Sequence, residues 1–229
     1  MKKSRLATIA MGMAVAALMT GCGDDDGGGS GFADESAKDI VAAAQKAMGE
    51  LESVHLAGDI TTDGSTITMD LSSSTTGNCE GDISIDGGAL EVLQVDGDGW
   101  FKADEAFWQQ QAPDQAAQIV AAAGDKWVVD TGSQFTSFCD LEGLLEEITT
   151  PDDSDEFKKD GTEDVDGEDA VKITGKDSTA FIATDEPHYI LKLEGSGAEE
   201  GAITFSAFDE EIDVEAPAAD DTVDLDQLG

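Results

Sequence analysis

The chain has 229 residues and carries 51 acidic against 12 basic side chains, a formal net charge of −39. So acidic a surface excludes nucleic acid as a partner, because phosphate binding needs clustered Lys and Arg, and it opposes charge-driven docking onto anionic lipid headgroups. Disorder, the other consequence of high net charge, is countered by a hydrophobic fraction of 40% that falls largely into periodic runs.

Residues 1–21 have the layout of an export signal. Lys2, Lys3 and Arg5 form a basic start, and 6–19 is an apolar stretch. That stretch is too short to span a bilayer, which takes ~20 residues. Small residues, Thr20 and Gly21, stand before Cys22 as at a cleavage site. The run Leu18-Met19-Thr20-Gly21-Cys22 resembles a bacterial lipobox, with Met19 where Leu is usual. The resemblance implies lipidation of Cys22 by a diacylglycerol thioether and cleavage before it. That leaves Cys79 and Cys139, an even pair in an exported protein, for which a disulfide is the default. No C-x-x-C is present and no His lies near either Cys in sequence, which weakens a metal or redox reading.

Residues 22–33 read as a flexible, acidic, Gly-rich tether with an r.m.s. reach of roughly 18 Å. Asp24, Asp25 and Asp26 serve there as a solvated spacer. A helix is predicted at 37–52, opened by the capping pair Ser36 and Asp39, with Ile40, Ala44, Ala47, Met48 and Leu51 on one face. The pattern then changes to period two. Val54, Leu56, Gly58 and Ile60 alternate with His55, Ala57, Asp59 and Thr61, and Asp63-Gly64 signals a hairpin. Ile67, Met69 and Leu71 form the inward set of the next strand, Ile83 and Ile85 that of the one after, and Gly87-Gly88 turns the chain again. Two more strands follow over 89–104. Their apolar phase slips between Val92 and Leu93, which predicts a bulge or burial on both faces. The whole reads as an antiparallel meander.

The middle differs. EAFWQQQ, DQAAQIVAAA and LEGLLEEI read as short helices, with a strand at 126–131 before the last of them and a loop at 151–155. A second set of strands is predicted at 157–163, 169–174, 179–183, 189–194, 202–208 and 212–214. Pro217 ends the last strand and 217–229 is a loose acidic tail. Two strand blocks around a helical insert argue one α+β domain over 34–216.

Several segments in this order resemble the actinobacterial lipoproteins of the LppX/LprG type, within the LolA/LolB-like fold. They are Ser53-Val54-His55-Leu56-Ala57-Gly58, Gly77-Asn78-Cys79-Glu80-Gly81, Trp100-Phe101-Lys102, Phe107-Trp108, Gly124-Asp125-Lys126-Trp127-Val128, Phe138-Cys139, Val165-Asp166-Gly167-Glu168-Asp169-Ala170-Val171, Tyr189-Ile190-Leu191 and Phe205-Ser206-Ala207-Phe208. The resemblance implies a curved antiparallel sheet, an unclosed half-barrel, with helices over its concave face and an apolar cavity between them. It also implies binding or carriage of a lipid or glycolipid ligand in the cell envelope.

Candidate cavity residues are Ile60, Ile67, Met69, Leu71, Ile83, Ile85, Leu191, Leu193, Ile203 and Phe205, with Trp100, Phe107 and Trp108 near the mouth. For any one of them plain core packing is the commoner role. The expected localisation is the extracellular face of the cell membrane, held by the Cys22 lipid. The alternative is a non-enzymatic interaction or sensor lipoprotein of the same fold, without a ligand cavity and with an envelope protein as partner.

Catalysis finds little support. Only His55 and His188 are neutral-pH bases, and neither a G-x-S-x-G elbow nor an H-E-x-x-H motif is present. The acidic turns Asp96-Gly97-Asp98-Gly99 and Asp164-Val165-Asp166-Gly167-Glu168-Asp169 lack EF-hand spacing and are explained by turn chemistry. No metal site and no cofactor is implied.

Overall fold

The structure, a computed structural model, describes residues 31–149 and 156–225. The expected export signal, Cys22, most of the expected tether, the expected loop at 151–155 and the end of the tail lie outside the described residues.

Helix α1 (Ala37–Met48) starts as the sequence predicts, with the Ser36 hydroxyl accepting from the Asp39 N–H. It stops four residues early, at Gly49, and Leu51 is buried from the following turn instead. The meander then runs through β1 (Ser53–Thr62), β2 (Ser65–Ser74), β3 (Cys79–Ile85), β4 (Gly88–Val95) and β5 (Asp98–Ala103). Its hairpins turn on Asp63-Gly64, Asp86-Gly87 and Asp96-Gly97, and Asp166-Gly167 does the same later. In each pair both residues have positive φ. That backbone matches the right-handed twist of paired strands, and it places the second turn one residue before the expected Gly87-Gly88.

Helices α2 (Glu105–Gln111) and α3 (Ala116–Ala123), strand β6 (Trp127–Val129) and helix α4 (Leu141–Thr149) form the insert. The second block holds β7 (Lys158–Val165), β8 (Glu168–Thr174), β9 (Ser178–Ala183), β10 (Ile190–Gly195) and β11 (Glu199–Ser206). Strand β11 ends at Ser206, before the expected 208, because Ala207 and Asp209 take positive φ. Together with β12 (Thr222–Val223) these strands join one sheet in the order β12-β6-β5-β4-β3-β2-β1-β11-β10-β9-β8-β7. The two blocks meet where β1 pairs with β11, from His55 opposite Ser206 to Thr62 opposite Glu199. The edges do not pair with each other, so the α+β half-barrel stays open. Its concave face holds the main core together with α1, α2, the α4 leucines Leu141 and Leu145, and Phe32.

The slip at Val92 and Leu93 is the burial on both faces that is one of its two readings, not a bulge: the β3–β4 and β4–β5 registers run through it unbroken, and the two residues are buried on opposite faces. Two expectations are corrected. Residues 212–214 form no strand, because β1 to β5 already have both neighbours. The segment instead crosses the outer face as a strap, with Asn78 Nδ2 donating to the Ile212 carbonyl at 3.4 Å and the Ser53 hydroxyl donating to the Glu210 carbonyl. The tail is not loose through residue 225. Strand β12 (Thr222–Val223) pairs in parallel with Trp127 and Val128, and Val223 and Leu225 pack on the main core.

Tyr189 stacks on Phe208 at 4.2 Å between centroids and donates its hydroxyl proton to Asp209 Oδ2 at 2.9 Å. Burial first, and then the Asp209 carboxylate, push its pKa up to about 12. A tyrosine whose folded pKa is raised adds stability below its unfolded value of ~10 and loses it as pH rises through the folded one. This is the chain's single tyrosine, so ultraviolet titration of the phenolate reads it alone. The expected midpoint lies near 12 in the folded protein and near ~10 in urea; a folded midpoint near that of free tyrosine refutes the packing described.

Candidate functional site: an apolar hollow under α4

The inner face of the sheet is laid out in cross-strand rows. Phe205, Leu56, Leu71, Gly81, Val92, Phe101 and Val128 form one row; Ile203, Gly58, Met69, Ile83, Leu90 and Ala103 form the next. Gly58 supplies no side chain to its row. Its four inner neighbours are Ile203 and Met69 across the strands and Leu56 and Ile60 along β1. Those four line a hollow of about 320 Å³ whose roof is Phe138, Gly143 and Leu144, with Ser137 and Asp140 as polar members.

Several local contacts hold the roof in place. The Asp130 carboxylate accepts from the N–H groups of Gln134, Phe135 and Thr136 at 2.9 to 3.0 Å and from the Thr136 hydroxyl at 3.0 Å, which folds the preceding loop back on itself. Phe135 then packs on Phe101 and Phe107 with centroids 4.6 and 5.3 Å away. The 3-10 turn Thr136–Cys139 is tied to β3 by the Cys79–Cys139 disulfide, as the cysteine count predicts, and the Ser73 hydroxyl donates to the Cys139 carbonyl at 2.8 Å. Asp140 Oδ1 accepts from the Gly143 N–H at 3.0 Å and starts α4. Leu141 and Leu145 are buried beneath that helix, and Leu144 faces the hollow.

Of the predicted cavity residues, Ile60, Met69 and Ile203 line the hollow. Leu71, Ile83 and Phe205 are fully buried core, and Ile67, Ile85 and Leu193 pack half-buried against it. Phe107 and Trp108 do not sit at a mouth. They are buried in an aromatic cluster with Phe101 and Phe135 that fills the concave face near β4 and β5. Trp100 is on the other face: alternation sends Phe101 inward, and Trp100 pairs with Leu93 and Val129 outside. Leu191 also faces outward. A register shift between Ile190 and Lys192 makes it the extra residue, and it packs with Ala170, Phe181 and Ala183 in a separate small cluster. The roof residues Phe138 and Leu144 were missed; the spacing of Leu141, Leu144 and Leu145 was the available signal.

A wider concavity lies on the convex face, under the strap. It measures about 720 Å³ and is walled by Asp70, Glu80, Asp82, Glu91, Asp213 and Glu215, with Trp127 beside them. Such a lining suits water, not hydrocarbon. Within it His55 Nε2 lies 2.8 Å from Asp70 Oδ1, and its Nδ1 lies 3.1 Å from Ser206 Oγ. These are the residue types of a nucleophile–base–acid relay. Acyl transfer also needs N–H donors aimed at a developing oxyanion, and both His55 and Ser206 sit in mutually paired strands whose N–H groups serve the ladder. The trio reads as a cross-strand hydrogen-bond chain. His188 follows the Glu186-Pro187 cis bond and stacks on Phe32 at 3.6 Å.

No protein-family model matches the chain, and no curated protein matches it significantly. Among solved structures, LprF from Mycobacterium bovis aligns over 80% of this chain and 97% of its own, with a TM-score of 0.57 at 16% identity. The chain has the LprF fold. Lipoprotein LppX from Mycobacterium tuberculosis aligns over 79% of this chain and all of its own, at 18% identity and a TM-score of 0.46. Both neighbours are mycobacterial lipoproteins of the LppX/LprG type, the group that the sequence resembles. At this identity the likeness to LprF is one of architecture: an open curved sheet with its helices on one side. Among the described residues of this LprF-like chain, no helix is long and apolar enough to cross a membrane.

Proposed function

We propose that this chain is an extracellular lipoprotein, anchored to the membrane through Cys22, that binds or transfers a lipid or glycolipid in the hollow under α4. The observation that carries this reading is the hollow itself, about 320 Å³ with seven of its nine lining residues apolar or glycine. That volume lies at the lower end of ligand sites, which run from ~300 to ~1,000 Å³. An unfilled apolar void forfeits dispersion contacts. A methylene entering it from water gains ~0.8 kcal/mol. A lipid already in a bilayer has that burial, so the protein acts chiefly by lowering the barrier to transfer.

The start of the domain supports a short mooring. Phe32 is clamped on His188, and Lys159 Nζ donates to the carbonyls of Ala33 at 2.6 Å and Glu35 at 2.9 Å. Only the segment 22–31 then separates the anchor from fixed structure, which keeps the hollow within reach of the outer leaflet. In this reading 1–21 is the signal, 22–31 the tether, and the lipid-binding domain runs from Phe32 through strand β12. The interaction or sensor alternative has one observation in its favour: Phe101, Phe107, Trp108 and Phe135 already fill part of the concave face.

Organic extraction of the protein purified from its native envelope, followed by mass spectrometry, is expected to release a lipid at near one per chain. Leu144→Trp, which fills the hollow from above, is expected to lower occupancy or probe affinity roughly tenfold or more, ~1.4 kcal/mol, with the fold intact by circular dichroism. An extract free of lipid, together with a Leu144→Trp variant indistinguishable from wild type, rules the proposal out.

A further inference from the structure

Strand β12 is the shortest in the sheet. It pairs Thr222 with Trp127 and Val223 with Val128, and among the described residues this is the one parallel pairing of the sheet. Parallel ladders are slightly less stable per residue than antiparallel ones. The position is nonetheless selective for side chains. Val223 extends the inner row that runs through Phe101 and Val128, and both Val223 and Leu225 pack on the main core. The β6 edge thus offers an extended chain two things: backbone groups to pair with, and an apolar wall that reads alternate residues. That is recognition by strand addition, performed here by the chain's own tail.

The tail fits this edge in shape but not in charge. Residues 210–221, which lead to β12, carry six acidic and no basic side chains. Their path crosses the outer face, where Asp213 and Glu215 wall one groove together with Asp70, Glu80, Asp82 and Glu91 of the sheet. Like charges gathered in this way oppose docking. Lys102, whose Nζ lies 4.2 Å from the Trp127 ring centroid, is itself 3.9 Å from Glu91. Ser53 and Asn78 tie the first part of the path to the sheet through the Glu210 and Ile212 carbonyls. The turn that follows is bonded within itself. The Asp221 N–H donates to the Ala218 carbonyl at 2.8 Å and the Thr222 hydroxyl to the Ala219 carbonyl at 3.0 Å, so these bonds travel with the strand if it leaves.

We propose that the β6 edge, Trp127–Val129, is a docking site for an extended segment of a protein partner, and that β12 occupies it as a displaceable stand-in. The partner segment is apolar at two positions spaced as Val223 and Leu225 are. It is basic in the stretch leading to them, where this chain places Asp213 and Glu215. The spacing follows from the inner wall and the charge from the carboxylates beside Trp127. A tethered tail acts at roughly millimolar effective concentration, so the partner gains from charge what it lacks in tethering. The site is separate from the hollow under α4 and stands whether or not the hollow holds lipid.

The test uses the full chain and three fluorescent synthetic peptides: a copy of residues 212–225, the same copy carrying Asp213→Lys/Glu215→Lys, and that lysine copy with Val223→Ser/Leu225→Ser added. By anisotropy the lysine copy is expected to bind roughly tenfold or more tighter than the unaltered copy, and the serine substitutions to cost it roughly tenfold or more. The protein variant Val223→Ser/Leu225→Ser, whose own tail competes less, is expected to bind the lysine copy tighter than the unaltered protein does. Should that variant fail to fold by circular dichroism, amide exchange of the unaltered protein decides. Saturation with the lysine copy is expected to speed exchange at Thr222 and Val223 roughly tenfold while Trp127–Val129 stay protected. Equal binding of the lysine copy and its serine version shows mere charge attraction and overturns the proposal. So does tail exchange unmoved by the peptide, a folded variant that binds no tighter, or binding of no peptide to either protein. Equal binding of the unaltered and lysine copies overturns the basic character of the partner.

Discussion

Replacing Gly58 by alanine is expected to destabilise the fold by about 4 kcal/mol or more, at the extreme of single-substitution effects. A Cβ at Gly58 would lie 1.9 Å from the Ala202 carbonyl oxygen, and one at Gly201 would lie 2.0 Å from the Asp59 carbonyl oxygen. The two glycines flank the Asp59–Ala202 pair, where the first strand block is joined to the second. The obstructing atoms are backbone on the neighbouring strand, so relief requires the β1–β11 seam to part. Gly64→Ala is the control. Its φ of 85° is left-handed but its Cβ would meet nothing within 4 Å, so only the local backbone penalty of ~1–2 kcal/mol applies. Urea unfolding of the two variants is expected to show a large loss for Gly58→Ala and a modest one for Gly64→Ala. Comparable losses would refute close approach at the seam. Because Gly58 is also the bare position around which the hollow forms, Gly58→Ala is further expected to lower lipid occupancy even where the protein remains folded.

Removing the Cys79–Cys139 bridge by Cys79→Ala/Cys139→Ala is expected to cost about 4 kcal/mol in the chain-entropy account for a loop of this size. The sequence separation is 60 residues. A typical domain has ~5–15 kcal/mol in total, so the variant should unfold at far lower urea concentration. Its m-value should rise, because the unfolded chain is no longer held compact by the cross-link. The functional consequence follows from where the bridge sits. It ties the roof turn to β3, and the Ser73–Cys139 hydrogen bond is its near neighbour. Without it, proteolysis is expected to cut first in the 130–149 region while the meander persists. A loss under ~1 kcal/mol, or a first cut elsewhere, contradicts a structural role for the bridge in seating the roof.

The predicted elements and the observed ones agree best where local chemistry is decisive. Ser36 and Asp39 start α1, Asp63-Gly64 turns the first hairpin, and EAFWQQQ forms α2 over the whole of its length. They part where a residue's setting depends on distant chain. Leu191 belongs to an apparent alternation with Tyr189 and Leu193, and only the shift against β9 turns it outward. Trp100 and Phe101 are adjacent and both aromatic, so their faces follow from strand register rather than residue type. The segment 212–214 has strand character but no free edge to join. Phe107 and Trp108 are equally good at a mouth or in a core, and the approach of Phe135 from a separate loop decides for the core.

What the sequence determined by itself was local and countable: an even cysteine pair, a capped first helix, hairpins at Asp-Gly pairs, and two blocks of alternating strands around a helical insert. These follow from backbone preferences and from period-two or helical burial, which act over a few residues. Tertiary structure decided the rest. It joined β1 to β11, set which face each aromatic takes, drew the tail onto the sheet edge, and placed Phe138 and Leu144 over the bare position at Gly58. A hollow is made of side chains that fail to meet, and whether they meet depends on sheet curvature and on a roof held from 60 residues away in sequence, which no local pattern contains.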